Sequence, residues 1–134
     1  MARKKTKAEV KMISYGMYAE WDRDQQGIPD FEVLTDRIPA ILDQEFGYVL
    51  QIGKGKGKGK RITFRIDHPG VRDEEGKVRP PFTGEVPINK NEYTFYLGDS
   101  VFGPTTEDKI GPWRMVTYID GEQVADKTLH VVAP

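Results

Sequence analysis

Apolar and polar residues alternate with a period of two through most of this sequence, and no window holds the roughly 3.6-residue period of an amphipathic helix. The pattern predicts an all-β chain. In "KMISYGMYAEW", Ile13, Tyr15, Met17, Ala19 and Trp21 share one face, and Gly16 within the run marks a bulge or a close backbone approach. "DFEVLTD" sets Phe31, Val33 and Thr35 on one side. "FGYVLQI" alternates Phe46, Tyr48, Leu50 and Ile52, and "RITFRIDH" alternates Ile62, Phe64, Ile66 and His68. These two runs are expected to pair as a hairpin. "EVPI" and "EYTFYL" follow across "NKN", the second aligning Tyr93, Phe95 and Leu97. The clearest local signal is "PWRMVTYIDGEQVADKTLHVV", where Trp113, Met115, Thr117 and Ile119 share a face before Asp120-Gly121. Asp-Gly supplies the positive φ angles of a tight type I′ turn.

Between these runs lie "DHPGVRDEEGKVRPPFTGE" and "FGPTTEDKIGP", whose prolines and glycines mark surface connections. About seven or eight short strands fit a single-domain antiparallel β-sandwich of immunoglobulin-like type, with a closed barrel as the competing all-β solution. "IPAILDQEFG" is the one segment where a helical turn fits.

Composition adds scale and exclusions. With 134 residues the chain suits one domain, which hides roughly two-thirds of its unfolded surface. Residues 1–9 read as a basic tail and 10–134 as the sandwich. No apolar run approaches the ~18 residues of a membrane span, and the positive N-terminus lacks the apolar stretch of a signal peptide. The expectation is a cytoplasmic protein with no membrane partner. The absence of cysteine removes disulfides, thiolate nucleophiles and cysteine-ligated zinc. Charge is segregated although the net is −1. Arg3, Lys4, Lys5, Lys7 and Lys11 make the start basic, and residues 20–45 hold eight carboxylates against Arg23 and Arg37. Such segregation steers charged partners.

The second basic segment is "GKGKGKGKR", with Lys54, Lys56, Lys58, Lys60 and Arg61 as candidate anion or nucleic-acid contacts. Gly53, Gly55, Gly57 and Gly59 all sit on odd positions, so no pair has the spacing of a phosphate-binding loop, and no helix follows. The lysines could still neutralise phosphates in a salt-dependent way. Without interleaved aromatics such binding would be nonspecific. A solvated tip accounts for the same residues, since lysines also guard sheet edges.

Other chemistry is thinner. "DRDQQG" places oxygen ligands at Asp22, Asp24 and Gln26 with Gly27 at the turn, but Val33 stands where a calcium loop needs its bidentate Glu. His68 extends an apolar face before Pro69 and reads as a packed or capping histidine. His130 alternates away from Leu129 and Val131, toward solvent or the facing sheet. The only serines, Ser14 and Ser100, lack a nucleophile elbow. Convergence of Asp67, His68, Asp73, Glu74 and Glu75 would require loops to gather them.

In order, "TDRIPAILDQEFGYVLQI", "IDHPGVRDEEGK" and "IGPWRMVTYIDGEQVADKTLHVV" give the chain its resemblance to the bacterial domain of unknown function 3859 family. Leu129 stands where that family more usually has an aromatic. The resemblance covers roughly residues 33–132, implies one all-β domain and carries over no catalytic or binding residue. The combined expectation is a noncatalytic protein-binding or scaffold module, not an enzyme, without cofactor or metal. The alternative is nonspecific nucleic-acid or polyanion binding through the basic tail and the glycine-lysine segment.

Overall fold

A computed structural model describes residues 9–24, 27–53 and 59–134. Their strands are β1 (Glu9–Tyr18), β2 (Phe31–Leu34), β3 (Arg37–Pro39), β4 (Glu45–Gly53), β5 (Arg61–Asp67), β6 (Phe82–Pro87), β7 (Tyr93–Ser100), β8 (Gly111–Ile119) and β9 (Glu122–Val132). They form a four-stranded sheet, β2-β1-β4-β7, facing a five-stranded sheet, β3-β9-β8-β5-β6. The immunoglobulin-like sandwich is confirmed, with one or two more strands than expected.

Period two builds the interior as predicted. Phe46, Tyr48, Leu50 and Ile52 of β4 meet Ile62 and Ile66 of β5 and Trp113, Met115 and Ile119 of β8 in one buried cluster. Each apolar side chain taken from water contributes on the order of 1.5–3 kcal/mol. Thr117 shares that face and is satisfied there by the Tyr48 hydroxyl at 2.6 Å. The β8–β9 turn has positive φ at Asp120 (48°) and Gly121 (84°), the type I′ geometry expected of this pair.

Three expectations fail for identifiable reasons. β4 and β5 do not form a hairpin: β4 lies between β1 and β7, while β5 lies between β8 and β6 in the facing sheet. Alternation fixes which face of a strand is apolar, not which strand lies beside it. β1 keeps its parity only in part. A register shift between Met12 and Ser14 sends Val10, Met12, Tyr15 and Met17 to the core and leaves Ile13 57% exposed. The strand then ends at Tyr18, so Trp21 packs outside the sheet on Tyr96 instead of in the core. Lastly, β3 pairs parallel to β9, Ile38 beside Val131, an exception to the antiparallel expectation. The chain switches sheets between β2 and β3. "IPAILDQEFG" holds a turn with Asp43 at φ 71° and no helix, and a short 3-10 turn forms instead at Glu107–Lys109.

Candidate protein-binding edge

Of the basic candidates, Lys60 and Arg61 are among the described residues. Lys54, Lys56 and Lys58 lie outside the described residues, as does the tail before Glu9. Gly59 donates its N–H to the Ile88 carbonyl at 2.9 Å, and Ile88 donates back to the Lys60 carbonyl at 2.9 Å. Arg61 does not offer an open charge: Glu85 accepts from its guanidinium at 2.7 Å. Its backbone also exchanges bonds with Asp120 of the β8–β9 turn. Glu9 stands opposite Gly53 in the β1–β4 ladder. Both basic segments therefore join the sheet at neighbouring backbone positions.

The acidic and histidine candidates resolve into structural roles. Asp22 caps its own turn by accepting from the Asp24 N–H at 2.9 Å. His68 uses both ring nitrogens: Nδ1 accepts from the Val71 N–H at 3.2 Å, and Nε2 lies 3.1 Å from the Pro80 carbonyl. Its ring packs 4.9 Å from Phe82 and 6.0 Å from Trp113, so it is the packed, capping histidine expected at a strand end. His130 is exposed. Asp67 pairs with Arg65 and Asp73 closes a turn to the Glu75 and Lys77 N–H groups, so the loops do not gather these carboxylates around His68. Among the described residues no three His, Asp or Glu side chains are placed to hold a metal.

A polar network that alternation does not reveal covers the outer face of the four-stranded sheet. Gly16, Gly47 and Gly98 stand side by side across β1, β4 and β7. A Cβ at Gly98 would collide with the Tyr96 ring, so that glycine lets the ring lie across the sheet. The Tyr96 hydroxyl thereby reaches Glu45 Oε2 at 2.6 Å. Glu45 is 2% exposed and is clamped by Arg23 through two nitrogens, at 3.1 and 2.5 Å. Burial opposes the Arg23 charge, but Glu45 outweighs it and holds the guanidinium above its ordinary pKa. Burial, then the Glu45 charge, pushes the Tyr96 phenol well up, so it remains a donor. This network fastens the segment after β1, whose ends meet where Ala19 donates to the Asp30 carbonyl at 2.8 Å.

That segment leads directly into the most exposed apolar surface. Nine large apolar side chains are exposed among the described residues, and five of them, Phe31, Val33, Leu34, Ile41 and Leu42, fall within residues 31–42. Ile13 adds a sixth on the adjacent β1. β2 is an edge strand, with one side of its backbone paired to β1 and no strand beside the other among the described residues. Phe31 stays on the outer face against Tyr18, ring centroids 5.5 Å apart, and Leu34 is 62% exposed. The sequence shows these residues as a strand. What it does not show is that this strand lies at an edge.

The family model described as Domain of unknown function (DUF3859) matches residues 6–131. The chain belongs to this family. Among solved structures, an immunoglobulin-like protein from Pseudomonas aeruginosa is 22% identical to this DUF3859 domain, with a TM-score of 0.70 over 95% of this chain and 99% of that one. It shares the fold. A Pseudomonas fluorescens alkylpurine DNA glycosylase bound to DNA with an abasic site analog aligns at 13% identity and TM-score 0.47, over 96% of this chain and 32% of that one. So weak a likeness carries no argument about the DUF3859 domain. No curated protein matches it.

Proposed function

We propose that this DUF3859 domain is a noncatalytic protein-binding module that presents the β2 edge to its partner. The observation behind it is the exposure of Phe31, Val33 and Leu34 on β2, an edge strand of its sheet among the described residues. Large apolar side chains exposed together on an edge strand mark a contact surface. An edge strand takes an added strand through its free N–H and C=O groups. Capture from native lysate tests it, at high salt and after nuclease, with wild type, Leu34→Lys and Thr83→Lys. Thr83 is exposed on the facing sheet, away from the edge. The expected result is a protein retained by wild type and Thr83→Lys and lost by Leu34→Lys. Recovery that disappears with salt or nuclease would overturn the reading.

A second reading, nonspecific polyanion binding, is favoured by one observation. Glu9, which follows the basic tail in sequence, pairs with Gly53, which precedes the Lys54, Lys56 and Lys58 stretch. Anisotropy with labelled DNA, comparing wild type with Lys54, Lys56, Lys58 and Lys60 changed to serine, tests it. A salt dependence flattened by up to about four phosphate contacts supports the reading, and an unchanged slope removes the segment.

A further inference from the structure

We infer that the occupant of the β2 edge is an extended segment of another protein in which lysine or arginine alternates with apolar residues. This rests on the protein-binding reading and adds the chemistry of the partner. The edge is acidic as well as apolar. Asp30 and Glu32 are exposed there, and neither forms an ion pair among the described residues. Arg37 is the one cation in this stretch.

The same charges argue against a second copy of the chain. β2 is only four residues long and bulges at Glu32. A second copy laid antiparallel along it brings Asp30 and Glu32 of both copies onto one short seam, and like charges crowded there are destabilising. A strand with cations at those positions turns the repulsion into attraction, while its apolar residues cover Phe31 and Leu34, which share the outer face. Pairing supplies main-chain bonds, and the charges select the partner.

Fluorescence anisotropy with two labelled peptides, alternating Lys-Val and alternating Glu-Val, tests the inference on wild type, on Leu34→Lys and on the double variant Asp30→Lys, Glu32→Lys. Wild type is expected to bind Lys-Val about tenfold more tightly than Glu-Val, as attraction at two exposed carboxylates in one case and repulsion in the other allow. The double variant is expected to reverse that preference, and Leu34→Lys to weaken Lys-Val. Equal binding of both peptides, lost with Leu34→Lys, overturns the basic partner but leaves the binding edge intact. Binding of neither peptide overturns both the partner and strand addition at the edge. A concentration-dependent dimer in light scattering, abolished by Leu34→Lys, overturns the inference in favour of a second copy.

Discussion

The Tyr96 hydroxyl on β7 donates to Glu45 Oε2 on β4 at 2.6 Å, at the end of the sheet where Gly47 and Gly98 stand opposite each other. Without that bond the carboxylate keeps Arg23, yet loses a donor in a site closed to water. Tyr96→Phe is expected to destabilise the fold by about 1–2 kcal/mol. Arg23→Ala costs roughly 1–3 kcal/mol, less than a fully buried pair because the guanidinium side chain is 44% exposed. Urea unfolding measures both. Limited trypsin digestion of Tyr96→Phe is expected to show faster cutting at Arg23. If Tyr96→Phe is as stable as wild type, the network does not hold the segment that leads into β2.

Asp99 gives the fold a pH dependence. Burial raises its pKa to about 6, against the N–H of Ser100 and the positive charge of Arg23, which lower it, while nearby Glu45 raises it further. A carboxyl whose folded pKa is raised binds its proton more tightly in the folded state. Its stabilising contribution is full below about pH 4 and is lost as pH rises through about 6. The loss amounts to roughly 3 kcal/mol. Asp99→Asn is expected to gain on wild type across that window and to hold a constant advantage above it. Urea midpoints from pH 4 to pH 7 read this directly, and a difference that does not vary with pH would remove Asp99 from the account.

Trp113 joins the two sheets. It is fully buried, meets Phe46 of β4 edge to face at 5.1 Å, and donates its indole N–H to the Lys109 carbonyl at 2.8 Å. Trp113→Ala removes the largest fully buried side chain and is expected to cost about 3–5 kcal/mol. A urea-measured loss below about 1 kcal/mol would contradict its position between the sheets.

The position of Trp113 was legible in the sequence because alternation and the Asp120-Gly121 turn act locally: the turn sets the β8–β9 register, and the register sets the face. Neighbourhood is different. Phe46 and Ile62 carry equally good alternating patterns, yet nothing in either says they meet across the core instead of along one sheet. Ile13 departs from the alternating pattern because a one-residue bulge inverts parity and leaves no mark in composition. The candidate edge was half legible: "DFEVLTD" reads as a strand, but exposure of Val33 and Leu34 depends on the absence of a strand beyond β2. Glu45, Tyr96 and the glycine rung come from three distant stretches, and only Gly16 drew attention in advance.

The glycine-lysine connection yields a prediction opposite to the one a hairpin would give. If β4 and β5 paired, replacing residues 53–60 with Asn-Gly would be harmless. They lie in facing sheets, which pack about 10 Å apart. The replacement also removes Gly59 and Lys60, the backbone partners of Ile88, which is 2% exposed. A buried N–H and C=O left unsatisfied cost about 1–3 kcal/mol each. The Asn-Gly variant is therefore expected to lose several kcal/mol, or to fail to fold. Lys54, Lys56 and Lys58 changed to serine keep both bonds and the length of the crossing, and their stability is expected to match wild type within about 0.5 kcal/mol. Parallel urea unfolding of the two variants separates length from charge: an Asn-Gly variant as stable as wild type would mean that Ile88 finds other partners and that the crossing tolerates a two-residue link.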